Sequence, residues 1–73
     1  MNSFKEYLEE LMDLKQECTI RFRAVDGGIS IIRAHIIDMD NVSGREMIET
    51  DAGLHIGVDQ IVDVNGRPSE HWA

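Results

Sequence analysis

Cys18, His35 and His55 are the side chains best suited to hold a metal or attack an electrophile, yet their spacing supports neither chemistry. Each falls on a separate expected strand, and no C-x-x-C or H-x-x-x-H pair brings two ligands together. A Cys–His nucleophilic pair also needs an orienting third group and an oxyanion donor, and no motif marks either. Cys18 sits in an apolar register and reads as a small core residue. Asp38 and Asp40 could act as paired carboxylates, but they flank a strand end, where acids face solvent. Gly27-Gly28 lacks the spacing and the following helix of a phosphate-binding loop. The sequence therefore points away from an enzyme and names no catalytic residue, metal site or cofactor.

Charge is more informative. Fourteen acids against seven Lys and Arg give a formal net charge of −7 over 73 residues. Direct contact with a nucleic-acid backbone relies on Lys and Arg to neutralise phosphates, and this chain lacks that excess. An acidic surface keeps a small protein soluble and can steer it toward a basic partner. Two groups of acids stand out: Glu6, Glu9, Glu10 and Asp13 near the N-terminus, and Asp38, Asp40, Glu46 and Glu49 around a middle turn. Arg21, Arg23 and Arg33 form a smaller basic set, able to contact RNA or to pair with Glu46 or Glu49 across a sheet.

The elements that position these residues follow from local pattern. Ser3-Phe4-Lys5-Glu6 has the form of a capping box. Phe4, Tyr7, Leu8, Leu11, Met12 and Leu14 recur at helical spacing, which predicts an amphipathic helix over 3–16 with the early acids at its positive end. Residues 17–25 alternate, with Cys18, Ile20, Phe22 and Ala24 on one face and Thr19, Arg21 and Arg23 on the other. Asp26-Gly27-Gly28 makes a hairpin turn into the densest β-branched run, five isoleucines among residues 29–37. Regular alternation there groups Ile29, Ile31, Arg33, His35 and Ile37 against Ser30, Ile32, Ala34, Ile36 and Asp38, with Ala34 the small residue where the strand could bend. Asn41-Val42-Ser43-Gly44 turns into a short strand with Met47 inward. Asp51-Ala52-Gly53 turns again, and Leu54, Ile56 and Val58 share a side. After a break at Asp59-Gln60, residues 61–64 form the last strand, Asn65-Gly66 ends the sheet, and 67–73, with Trp72, is a loose tail.

The expected architecture is a single α+β domain over 1–73: an N-terminal helix on a five-stranded antiparallel barrel spanning 17–66. Its expected core is Tyr7, Leu8, Leu11, Cys18, Ile20, Phe22, Ile32, Ala34, Ile36, Met47, Leu54, Ile56, Val58, Ile61 and Val64. No apolar run reaches the ~20 residues of a membrane span, and no signal pattern opens the chain. With one cysteine and no possible internal disulfide, a cytoplasmic setting is expected.

This order of elements resembles the Rho-binding antiterminators, small bacterial proteins with an Sm-like barrel. The resemblance covers residues 4–66. It rests on the helix, the Asp-Gly-Gly turn, the long strand through Ala34 to Asp38, and above all the closing stretch Ile56-x-Val58-Asp59-x-Ile61-Val62-x-Val64-x-Gly66. Ahead of the helix, Phe4-Lys5-Glu6-Tyr7 stands where that family carries a Cys-Asp and Tyr-Asp cluster. The resemblance implies a non-enzymatic protein that binds the termination factor Rho and blocks its RNA-binding surface. By their general location, Glu6, Glu9, Glu10, Asp13, Asp38, Asp40 and Glu46 become the candidate partner-binding residues. The other class left open is an Sm-like RNA binder using the Arg21, Arg23 and Arg33 face. Oligomeric state is undetermined by the sequence.

Overall fold

A computed structural model describes residues 3–69. Its first element grows directly from the predicted cap. The Ser3 hydroxyl accepts from the Glu6 N–H at 3.1 Å, the Glu6 carboxylate accepts from the Ser3 N–H at 3.0 Å, and helix α1 runs Phe4–Asp13. The helix stops short of residue 16 because Lys15 adopts φ 53°. The Lys15 N–H then reaches the Met12 carbonyl and the Gln16 N–H the Leu11 carbonyl, which satisfies two orphan acceptors in a Schellman arrangement.

Six strands follow: β1 Glu17–Arg23, β2 Ile29–Val42, β3 Arg45–Thr50, β4 His55–Gly57, β5 Ile61–Val64 and β6 Arg67–Pro68. They form one antiparallel sheet in the order β4-β3-β2-β1-β5-β6. The fold is α+β, with one helix on an antiparallel sheet, as expected; the expected five-stranded barrel differs from it in two respects. Among the described residues no ladder joins β4 to the β5–β6 side, so the sheet is open. The chain crosses between these two sides through a single 3-10 turn, Val58–Gln60, where the sequence suggested only a break. The sixth strand arises because Asn65 and Gly66 take φ 52° and 82°, a two-residue hairpin turn of the kind that matches strand twist. Arg67–Pro68 therefore returns along β5 instead of entering a loose tail. Trp72 and the remainder of that tail lie outside the described residues.

Strand β2 serves both halves of the sheet. Its first half, Ile29 to His35, pairs with β1, and its second half, Ile36 to Val42, pairs with β3. The irregularity lies at Ile37, between Ile36 and Asp38, and not at Ala34, which pairs regularly with Cys18. A bulge inserts one residue and reverses the facing of everything beyond it. Asp38, grouped by simple alternation with the inward residues, is thereby turned out to solvent, and Met39 replaces it against the core.

The core lies between helix and sheet: Phe4, Leu8 and Leu11 from α1 meet Cys18, Ile20, Ile36, Ile48, Ile56, Ile61 and Val64. Ile48 is fully buried where Met47 was expected, because Ile48 pairs with Met39 and Ile56 on the inward register of β3. Tyr7, Phe22, Ile32 and Val58 pack at the margins, and Leu54 is exposed beside a turn. Gly57 has no room for a side chain: a Cβ there would collide with the Arg45 guanidinium and the Asp59 carboxylate, whose ion pair lies across it at 2.9 Å.

Candidate functional site

Helix α1 buries one stripe, so its acids are forced to the outer face. Glu6, Glu9, Glu10 and Asp13 are all exposed and, with Leu14, line a shallow open depression of about 390 Å³. Glu6 also serves the cap. The Ser3 backbone N–H, and secondarily the Ser3 side chain, hold its carboxyl below the ordinary range, so it stays charged into mildly acid solution.

The acids of the middle turn divide. Asp40 and Glu46 meet Glu9 around a second depression of about 250 Å³, together with Lys5, Met39 and Asn41. Three carboxylates from the helix, β2 and β3 thus share one concavity, and Glu9 belongs to both depressions. Lys5 Nζ lies 3.4 Å from Glu46 at its edge, but with both side chains about half exposed the pair holds the site together only weakly. Lys5 is the contributor that the sequence reading did not single out; on the helix alone its natural partner is Glu9, four residues on. Asp38 stands apart, opposite Glu49 in the β2–β3 ladder, with its Oδ1 accepting the Met39 N–H at 2.8 Å. Glu49 in turn lies 3.4 Å from His55 Nε2.

The basic set is spoken for differently than expected. Arg21 pairs with Asp63 on β5, and Arg33 with Glu17 on β1 at 2.9 Å. Neither meets Glu46 or Glu49: β2 separates Arg21 from β3, and Arg33 lies in the half of β2 that pairs with β1, short of the β3 ladder that begins at Ile36. Ile31, opposite Arg21, and Ile29, opposite Arg23, are exposed, so this face mixes charged and apolar side chains.

Cys18 and His35 come close in sequence register but on opposite faces of the sheet. Cys18 is buried and donates through Sγ to the Ala34 carbonyl at 3.3 Å. Burial first, then the nearby Asp51 and Glu17 charges, pushes its thiol up, away from a reactive thiolate. His35 faces outward and is gripped by Asp51. The Asp51 carboxylate accepts the His35 backbone N–H at 2.9 Å and lies 2.8 Å from His35 Nδ1, while the Asp51 N–H donates to the His35 carbonyl at 3.0 Å. His55 lies on edge strand β4. Among the described residues no group of three His, Cys, Asp or Glu is arranged to hold a metal ion. No helix is long and apolar enough to cross a membrane.

The Asp51–His35 clamp sits where β2 passes from the β1 ladder to the β3 ladder, so it should stabilise the bend. The His35 backbone N–H, then its side chain, hold the Asp51 carboxyl below its ordinary value. A carboxylate whose folded pKa is depressed stabilises the fold above the unfolded value of ~3.9 and loses that contribution as pH falls through the folded one. Asp51→Ala is therefore expected to lower the melting temperature near neutral pH. The gap from the parent should shrink as the pH is taken down through the acid range. Thermal melts across that range provide the check, and a gap independent of pH would remove the carboxylate from this role.

Compared with known proteins, the chain matches no family model, no curated protein and no solved structure.

Proposed function

We propose that this chain is a non-enzymatic interaction module that seats its acidic surface on a basic, nucleic-acid-binding surface of a partner protein. In line with the sequence resemblance, Rho is the proposed partner and obstruction of its RNA path the proposed effect. The observation that carries the reading is the concavity where Glu9, Asp40 and Glu46 converge, continuous through Glu9 with Glu6, Glu10 and Asp13 on the helix. Carboxylates spread over a concave, rigidly backed surface can occupy positions that phosphates would take in a basic groove. On this reading the bent sheet is an open Sm-like barrel that holds the helix in place, and Asp38 contributes from the margin. The setting is cytoplasmic, as a Rho partner requires.

Fluorescently labelled RNA separates this reading from direct RNA binding by the Arg21, Arg23 and Arg33 face. The protein should bind RNA negligibly on its own, and should displace RNA from purified Rho with an efficiency that falls as salt rises. Salt-sensitive binding of the RNA itself, without displacement from Rho, would replace the proposal with the RNA-binding one. The carboxylates beside Arg21 and Arg33 argue against that result, since phosphate would have to compete with Asp63 and Glu17.

A further inference from the structure

Between the end of α1, the bend of β2 and Asp51 lies a cavity of about 380 Å³, lined by Met12, Lys15, His35, Ile36, Ile37 and Asp51. It shares no residue with the acidic depressions around Glu9. We propose that it binds a small organic anion, a carboxylate with an apolar body, held between Lys15 and His35.

The pattern of charge pairing leads to this ligand. Arg21, Arg33 and Arg45 each pair with a carboxylate, and Lys5 pairs with Glu46. Lys15 has no ion pair among the described residues. Its place is nevertheless fixed, since it closes the helix end at φ 53° with its N–H on the Met12 carbonyl. Two residues on, Glu17 stands opposite His35 in the β1–β2 register. The carboxylates facing His35 are already engaged, Glu17 with Arg33 at 2.9 Å and Asp51 with the ring itself at 2.8 Å. An ionised carboxylate only accepts, so Asp51 fixes a proton on Nδ1 and leaves Nε2 as the ring nitrogen without a partner among the described residues. Once protonated, Nε2 becomes a donor, and the imidazolium and Lys15 together outweigh the single charge of Asp51. His35 holds the Asp51 carboxyl below its ordinary range, so Asp51 stays ionised while the imidazole titrates, across about pH 5–8. Met12, packed against the core, and Ile37, 53% exposed at the bulge, give the cavity an apolar wall for the body of the ligand.

Hexanoate is the probe, read through the imidazole resonances of His35 in NMR spectra, which are assigned by their loss in His35→Gln. In mildly acid solution hexanoate should shift these resonances saturably. Bound hexanoate should also raise the pH midpoint of the ring by about one unit, equal to a tenfold preference for the imidazolium. Hexanol, similarly apolar but uncharged, should do neither. Lys15→Gln should weaken hexanoate about tenfold through the loss of one charge-assisted contact. Its melt should match the parent's, because Lys15 is exposed. Lys5→Gln, away from the cavity, should leave binding unchanged. Absence of a saturable shift would overturn the proposal, as would hexanol acting like hexanoate. A saturable shift without a rise in the midpoint would take His35 out of the site and overturn it as well. So would undiminished binding by a Lys15→Gln variant that melts like the parent.

Discussion

An Ile36→Asp variant should show no cooperative thermal transition by circular dichroism, whereas Ile37→Asp, one residue away, should melt close to the parent. Ile36 is 2% exposed, at the point where β2 passes from one ladder to the next, and it faces the common core. An unpaired carboxylate there costs several kcal/mol, or folds only after an equally costly protonation. A domain of this length has a total stability of roughly 5–10 kcal/mol, so most or all of it is lost. Ile37 is the bulged residue and is 53% exposed, so a charge there stays in water. The contrast matters more than either result. Equal losses at both positions would mean that the bulge does not turn Ile37 outward, and a parent-like melt for Ile36→Asp would remove it from the core.

Reversing Glu9, Glu10 and Asp13 to lysine together should slow association with the proposed partner, Rho, about tenfold or more at low salt. The four rates of interest are those of the parent and the variant at low salt and of both again at high salt, where the difference should largely vanish as screening shortens the reach of the charges. All three positions are exposed on α1, outside the stripe of Phe4, Leu8 and Leu11, so the melt should change little. The acids also crowd one helix face, and part of their mutual repulsion is relieved by the substitutions. Adding Glu46→Lys should slow association further, because Glu46 shares its concavity with Glu9. An undiminished rate for the triple variant at low salt would reduce the helix to a solvated cover over the sheet and leave the proposed function without its surface.

What could be read from the chain alone was what short-range physics decides. The Ser3–Glu6 capping box needs only residues three apart. The alternation in β1 needs only its own side chains, and the positive-φ turns at Gly27, Gly44, Gly53 and Gly66 need only residues that tolerate that backbone region. The acids on the outer face of α1 were legible for the same reason, since the buried stripe dictates where they go.

Tertiary structure decided the rest. Periodicity carries no sign of an extra residue, so the bulge at Ile37 was invisible, and with it the outward turn of Asp38 and the inward one of Met39. The Asn65-Gly66 signal was plain, but whether it ends a sheet or returns it as β6 depends on an unpaired edge of β5 being there to receive Arg67 and Pro68. Ile48 over Met47 was likewise settled by which neighbour, Ile56 or solvent, each side of β3 meets. The candidate site divides along the same line: sequence supplies its carboxylates one by one, whereas the meeting of Glu9, Asp40 and Glu46 requires a helix, a bent strand and a hairpin to be folded against one another.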